Sequence, residues 1–417
     1  MAKTKEFNDK DYSVTKVNTE IGLIQETELK LRLSSKTMAL LIQHPLITNR
    51  LVGNWQTVSL YNQYFDTANL ALNKADVALR LRKDGERVIQ TLKGRGECVG
   101  GLFVRNEMDW YLDNYELNLE LLACSCWPKV LANLDKRSIH PVFTNHFKRT
   151  KAILKWHWEN QPVEVEVAFD IGSVESAGEV DDIYELELEM RKGPVEALIQ
   201  LAIELASCFS LIPSSISKAE RGYRLLKVSP NQVLFDNVEI MQNIDTLDNM
   251  IGASAKVLVS RLQNSIESIH ICPDLDKLKI IRQQVVLTRK FIACLCSRVK
   301  SSDRIQFQSL LTTMENEIEN LIKSNLTYTE LASKCQECFN QITWGLLCLK
   351  LTKWYLLKEW LHKHQQNDTD YLQAHFYEWS KTSKSISKIH SEDSFVNFFC
   401  LSHDENGVFQ GSCRLSC

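Results

Sequence analysis

Charged and apolar side chains alternate with a period of two in at least seven segments of the first half of the chain. The first covers residues 26–33, where Glu26, Glu28 and Lys30 share one strand face and leucines share the other. Successive side chains of a β-strand point to opposite faces, so each segment predicts a strand with one charged and one apolar face. The other segments fall within 77–83, 88–95, 104–110, 149–158, 163–170 and 185–190.

The charges on these faces are sorted by sign. The basic group is Arg80, Arg82, Lys93, Arg149 and Lys151, and the acidic group is Glu26, Glu28, Glu164, Glu166, Asp170, Glu185, Glu187 and Glu189. An antiparallel barrel turns all such faces toward one lumen. Burying the charges there costs a large free energy unless they are paired, solvated or covered by a ligand. An ordinary sheet leaves them in water. The pattern alone leaves both interpretations open.

The segment 26–32 also indicates a chemistry. Glu26 and Glu28 stand beside Lys30 and Arg32 on one face. Carboxylates bind hard divalent cations, and lysine and arginine bind phosphate oxygens. This combination suits a metal-bound polyanion.

The motif ETELK at 26–30 resembles the ExExK signature of the CYTH family, also called triphosphate tunnel metalloenzymes. Further resemblances follow in the family's order: YNQYFDTANLALNKADVALRLR (61–82), QTLKGRGECVGGLFVRNE (90–107), VEVEVAFDIG (163–172), YELELEM (184–190) and SISKAERGYRLL (215–226). The resemblance covers residues 20–228. It implies an α+β fold in which an antiparallel eight-stranded β-barrel, covered by helices, encloses a triphosphate tunnel.

The resemblance also implies roles for the lumen residues. It predicts Glu26, Glu28, Lys30, Glu107 and Lys218 as catalytic and Arg80, Arg82, Lys93, Arg105, Arg149 and Lys151 as the substrate cradle. Glu26, Glu28, Asp170, Glu187 and Glu189 are the predicted ligands of Mg²⁺ or Mn²⁺.

The predicted activity is hydrolysis of inorganic triphosphate, because the chain is most similar to bacterial members in which the barrel precedes a helical CHAD-like domain. Two alternatives keep the same cradle for an organic substrate: a class IV-type adenylyl cyclase and a thiamine triphosphatase. A third is a protein that binds polyphosphate or nucleotide without turnover. The retained carboxylates favour catalysis, since binding alone needs cations more than acids.

The second half of the chain predicts an all-helical domain. Apolar periodicities near 3.6 run through 243–267, 274–299, 303–324, 328–364, 368–385 and 390–401. We therefore expect a polar extension over 1–20, a barrel over 21–228, a linker over 229–241 and a CHAD-like helical domain over 242–417. By resemblance that domain is a possible polyphosphate binder, but its first helix offers Lys256 and Arg261 without a histidine.

Composition restricts the partners and the location. A net charge of −3 argues against general nucleic-acid binding, which needs a basic face. The first twenty residues have no apolar core of a signal peptide, and no run reaches the length of a membrane span, so we expect a cytoplasmic protein. The 13 cysteines lack zinc-site spacing and are expected to be buried free thiols.

Overall fold

The computed structural model of the chain describes residues 20–123, 127–226, 246–295 and 298–361. Eight long strands form its first half: β1 (Glu20–Arg32), β2 (Leu51–Asp66), β3 (Ala78–Asp84), β4 (Arg87–Val99), β5 (Leu102–Leu112), β6 (His140–Trp158), β7 (Gln161–Ser176) and β8 (Glu179–Lys192). A two-residue strand, β9 (Ile212–Pro213), pairs with the end of β1.

The eight long strands close into an antiparallel barrel. Their spatial order is β5-β4-β3-β2-β6-β7-β8-β1, and β1 pairs with β5 as well as with β8. The closed sheet turns the charged faces inward, as the barrel interpretation predicted. The predicted fold class is confirmed, and the solvated-sheet alternative is wrong.

Helices cover the apolar outer faces on one side of the barrel. The helices that belong to this half are α1 (Ser35–Leu41), α2 (Pro45–Thr48), α3 (Ala71–Lys74), α4 (Val195–Cys208) and α5 (Lys218–Leu225). Leu31 of β1, Val167 of β7 and Leu188 of β8 are fully buried in one cluster with Leu201 of α4. Each such leucine or valine stabilises the fold by about 1.5–3 kcal/mol on burial. Ser34 caps α1: its hydroxyl accepts from the backbone N–H of Thr37.

The connection from β5 to β6 covers the opposite side. Leu122 and Leu131, in two of its 3₁₀ turns, pack with Leu79 of β3 and Trp110 of β5. Leu79 and Trp110 lie on the apolar faces of their strands. Because the connection buries these faces, the charged faces of the same strands point into the lumen.

The helix α5 fills one end of the barrel. Its N-cap is Ser217, whose hydroxyl accepts from the N–H of Glu220 while the Glu220 carboxylate accepts from the N–H of Ser217. A β-carbon on Gly222 would lie 2.2 Å from the ring of Phe143, so only glycine lets the helix approach the barrel wall this closely. The plug is completed by a hydrogen bond of 2.9 Å from Tyr223 to the buried Asp66.

The described part of the second half, 246–295 and 298–361, is helical, as predicted. Its helices are α6 (Leu247–Ile271), α7 (Leu275–Cys294), α8 (Ser301–Lys323), α9 (Tyr328–Phe339) and α10 (Ile342–Leu356). The periodic run 328–364 contains two helices, because Gln341 has an extended backbone that ends one and begins the next. The predicted linker 229–241 and the periodic runs beyond 361 lie outside the described residues, so the predicted domain limits stay predictions.

The barrel and the helices share their apolar interiors. Val99 of β4 and Ile212 of β9 belong to the core of the helical half, whereas Leu349 of α10 belongs to the outer core of the barrel. Gly345 of α10 lies so close to Leu211 that an added β-carbon would meet the Leu211 carbonyl oxygen at 1.8 Å. Among the helices within the described ranges, none combines the length and the apolar character needed to cross a bilayer.

The described cysteines are free thiols, in agreement with the prediction. Cys335, Cys338 and Cys348 are buried, and burial raises the pKa of Cys335 to about 11. Cys208 and Cys272 are exposed, so the expectation of burial is wrong for these two. Cys124, Cys126 and Cys296 lie outside the described residues.

Candidate active site

Three glutamates form a row on the inner wall of the barrel, referred to below as the carboxylate row. Glu28 of β1 is the cross-strand partner of Glu189 on β8, and Glu189 is in turn the partner of Glu166 on β7. All three line a cavity of about 980 Å³ that includes the lumen. Like charges directly opposite one another destabilise a sheet, so the row favours a bound cation.

The pKa values of two carboxylates in the row are raised, mainly by burial. Burial raises the pKa of Glu189 to about 7; Glu26, Glu166 and Glu28 add to the rise, and Arg191 opposes it. Burial also raises the pKa of Glu28, against the effect of Arg105. Carboxylate oxygens in this setting are the ligands that Mg²⁺ and Mn²⁺ prefer. The donor chemistry of the row therefore fits the predicted metal.

Two arginines of β3 lie in the same cavity. The Nε of Arg82 donates to the Asn62 Oδ1 over 2.7 Å, and among the described residues no carboxylate lies within ion-pair distance of the Arg82 guanidinium. Burial, and then the charges of Arg80 and Arg149, lower the pKa of Arg82 to about 10. Arg80 contacts Glu107 at 3.4 Å, and its buried Nε has no hydrogen-bond partner. An anion between these guanidiniums would satisfy both.

A second group of charges is internally neutralised. Lys93 Nζ lies 3.0 Å from Glu26 and 2.6 Å from Glu107. Arg105 Nε lies 3.0 Å from Glu26, and its terminal nitrogen pairs with Glu28. Burial opposes the ionisation of Glu26, but Lys93 and Arg105 outweigh it and hold the Glu26 pKa well below its ordinary value. In this arrangement Glu26 has two cationic partners before any metal binds.

A third group surrounds Lys218 of α5. Its ammonium lies 2.7 Å from Asp170, 2.9 Å from Glu185 and 2.9 Å from Glu187. The oxygens of these three acids lie within 4.8 Å of one another, a spacing that suits a metal ion. Lys218 already supplies the cation there, and Arg149 makes a bidentate pair with Asp170 and also pairs with Glu187. Asp170 and Glu187, two of the predicted metal ligands, are therefore already paired with lysine and arginine.

The remaining predicted site residues are also in the barrel interior. Lys30, which is 2% exposed, lies 3.3 Å from Glu187, and Lys151 lies 3.2 Å from Glu166. All the predicted site residues except Asp170 line the cavity. Asp170 lies behind it, buried against Arg149 and Lys218.

Sequence reasoning assigned no role to three residues of this site. Arg191 contacts Glu166 at 3.3 Å and Glu189 at 2.8 Å. It is the next residue after Glu189 on the charged face of β8, so extending the alternation by one step predicts it. Glu185 belongs to the same alternation, but its contact with Lys218 is known only from the structure. Asn62 carries no charge, so the alternation of charges gave no signal for it.

Comparison with known proteins supports the same family. The profile of the CYTH domain matches residues 25–223. The chain is 32% identical over 204 residues to a protein named inorganic triphosphatase from Haemophilus influenzae, a match covering 49% of this chain and 55% of that relative. The matched region is thus about half the length of the curated relative.

Two solved structures are similar to about half of the chain. One is an adenylyl cyclase-like protein from Hippeastrum, described as having a dominant triphosphatase activity, at 22% identity and a TM-score of 0.34, covering 49% of this chain and 98% of that chain. The other is a protein from Pyrococcus horikoshii at 18% identity and a TM-score of 0.30, covering 48% and 98% respectively. The assignment rests on the sequence matches and on the barrel itself. Residues 25–223, which contain most of the barrel strands and the helix α5 up to Tyr223, are a CYTH domain.

Proposed function

We propose that the chain hydrolyses inorganic triphosphate to pyrophosphate and phosphate inside the barrel, with Mg²⁺ or Mn²⁺ bound at the carboxylate row. The observation that carries the proposal is the half-buried Arg82 guanidinium, which has no carboxylate partner among the described residues and shares one cavity with the row. A half-buried cation without a counterion, in one cavity with a row of neighbouring carboxylates, fits a metal-bound polyanion. The similarity to an inorganic triphosphatase favours that substrate among triphosphates.

The arginines of β3 bind and orient the substrate. Forked guanidinium donors match phosphate oxygens, so Arg80 and Arg82 hold two phosphoryl groups, and Lys93 and Arg105 neutralise the charge beside them. Binding in this cradle replaces water around the polyanion by fixed charges, which are most effective in a water-poor site. Positioning and electrostatic stabilisation supply most of the rate enhancement in phosphoryl transfer.

The carboxylate row holds the metal through Glu28 and Glu189, with Glu166 at its edge. This set is narrower than the predicted one. Glu28 and Glu189 each pair with a single cation, whereas Glu26, Asp170 and Glu187 each pair with two or more. A bound Mg²⁺ or Mn²⁺ supplies Lewis-acid neutralisation of the phosphate oxygens. In hydrolysis a water oxygen bonds to the terminal phosphorus, the bridging P–O bond breaks, and pyrophosphate leaves with the electron pair. The cradle stabilises the negative charge that the leaving pyrophosphate gains.

The test is a measurement of phosphate release from inorganic triphosphate, ATP, thiamine triphosphate and longer polyphosphate, with Mg²⁺, with Mn²⁺ and with chelator, and with cyclic AMP assayed in parallel. We expect preference for inorganic triphosphate and loss of activity with chelator. Glu28→Gln should reduce the rate about 100-fold or more, as expected when a metal site is disrupted. Glu164→Gln, at a half-buried position paired with Lys155, is the matched control.

Cyclic AMP with pyrophosphate as the product would move the chain to the cyclase alternative. Tight binding of polyphosphate without turnover would make the tunnel a receptor. A cytoplasmic location and a polyphosphate ligand for the helical half stay predictions.

A further inference from the structure

One face of α6 forms part of the wall of the tunnel cavity. Lys256, Ser260, Gln263 and Asn264 line the same cavity as Arg82 and the carboxylate row. Their spacing of four, seven and eight residues places them on one side of the helix. The helical half of the chain therefore contributes side chains to a space that the barrel alone does not enclose.

A buried contact holds this face in place. Glu267, one turn further along α6, is 1% exposed, and its carboxylate accepts from the backbone N–H of Ser215 at 3.0 Å and from the Ser215 hydroxyl at 2.7 Å. Ser215 lies just before α5, whose Lys218 enters the charge cluster of the lumen. The distance between α6 and the end of the tunnel is thus fixed by a charge-assisted hydrogen-bond pair.

Two donors on this face have no partner among the described residues: the buried Gln263 amide and the half-buried Lys256 ammonium. Gln263 is 2% exposed, and its side-chain Nε2 has no hydrogen-bond partner. A buried donor without an acceptor costs about 1–3 kcal/mol. Among the residues that the structure describes, no carboxylate pairs with the Lys256 ammonium. An amide N–H and an ammonium that line one cavity, both lacking acceptors, are a site for an anionic oxygen group.

We propose that Lys256 and Gln263 form a phosphate subsite at the α6 end of the tunnel, which binds the terminal phosphate of inorganic triphosphate. The identity of the ligand rests on the function proposed above; the site itself rests on the geometry of α6. A wall of polar and basic side chains at this end accepts an unesterified phosphate, so an organic substituent has to lie toward the other end. The helical half thereby takes part in selecting the substrate.

The test is calorimetric titration of the full chain with inorganic triphosphate in EDTA, so that no metal-dependent turnover occurs. Lys256→Gln and Gln263→Leu should each weaken binding about 5- to 10-fold, since a tenfold change corresponds to about 1.4 kcal/mol. Lys256→Arg should restore most of the affinity lost in Lys256→Gln. Lys300→Gln, at an exposed lysine of the helical half outside the cavity, should bind like the wild type.

The outcomes separate this subsite from the proposed activity. Weakened binding in the two variants supports the subsite, even if the wild type releases no phosphate; in that case only the proposed hydrolysis is wrong. Phosphate release by the wild type with unchanged affinity in Lys256→Gln and Gln263→Leu overturns the subsite alone. No binding of triphosphate by the wild type in EDTA overturns the subsite, whereas the proposed hydrolysis is overturned only by an absence of phosphate release with Mg²⁺ and Mn²⁺.

Discussion

Glu28 on β1 and Glu189 on β8 are direct cross-strand partners, so two carboxylates of the tunnel wall stand side by side. Burial raises the pKa of Glu189 to about 7, and Glu26, Glu166 and Glu28 contribute to the rise. A carboxyl group whose folded pKa lies above its unfolded value stabilises the fold below the unfolded pKa. That contribution is lost as the pH rises through the folded pKa.

Glu189→Gln should therefore stabilise the metal-free protein at pH 8, by about 1–3 kcal/mol, and have little effect at pH 4.5. The amide keeps the shape and removes the unfavourable charge. Thermal unfolding in EDTA at both pH values measures the difference. Glu164→Gln is the control, because that carboxylate is half-buried and paired with Lys155. A Glu189→Gln variant less stable than the wild type at pH 8 contradicts the raised pKa of Glu189.

Arg82→Gln should have opposite effects on stability and on binding. Without ligand the substitution removes a half-buried guanidinium repelled by Arg80 and Arg149, so the unfolding midpoint should stay the same or rise. Affinity for inorganic triphosphate should fall at least tenfold, because a charge-assisted contact is lost. Thermal unfolding and calorimetry of the same samples give the two values. The control Arg87→Gln removes an exposed arginine and should change neither; a destabilised Arg82→Gln that binds normally would assign Arg82 to structure.

Lys218→Met should destabilise the fold by about 3–5 kcal/mol at pH 7, because Asp170, Glu185 and Glu187 lose their shared cation. Burial opposes ionisation of Glu185 and Glu187, but the nearby lysines hold both pKa values below their ordinary range. Such groups stabilise the fold above the unfolded pKa and lose that contribution as the pH falls through the folded value. The loss in Lys218→Met should therefore shrink in acid. Urea unfolding at pH 7 and pH 3 tests this, and an equal loss at both values contradicts the charge explanation.

Gly345→Ala should weaken the contact between the helices and the barrel, because the added β-carbon would meet the Leu211 carbonyl oxygen at 1.8 Å. We expect a loss of stability of several kcal/mol, although alanine favours a helix over glycine by about 1 kcal/mol. Gly252→Ala in α6 is the matched control, since its nearest contact is the Trp360 side chain at 3.1 Å. Thermal unfolding compares the two, and equal midpoints would show that α10 shifts without cost.

The sequence predicted the faces of the strands well because alternation directly reports which side chains share a face. It did not predict the pairings, since these depend on register: Glu28 lies opposite Glu189 only because β1 and β8 align in this way. The sequence pattern did not predict the strand β2, because the first half of this strand is largely exposed and shows no regular alternation. The contribution of α6 to the tunnel depends on how two distant parts of the chain pack. No local pattern at Lys256 or Gln263 contains that information.

The shared interior of barrel and helices has a consequence for folding during translation. All barrel strands have been synthesised once the ribosome has passed Pro213, but Leu349, which completes the outer core, follows 136 residues later, from 213 to 349. At ~5–20 residues per second this interval lasts about 7–27 s. Throughout it the outer surface of α4 lacks α10, so the nascent barrel exposes apolar side chains to water. The helical half therefore covers the last apolar surface of the barrel. It does so late, because it is translated after the barrel.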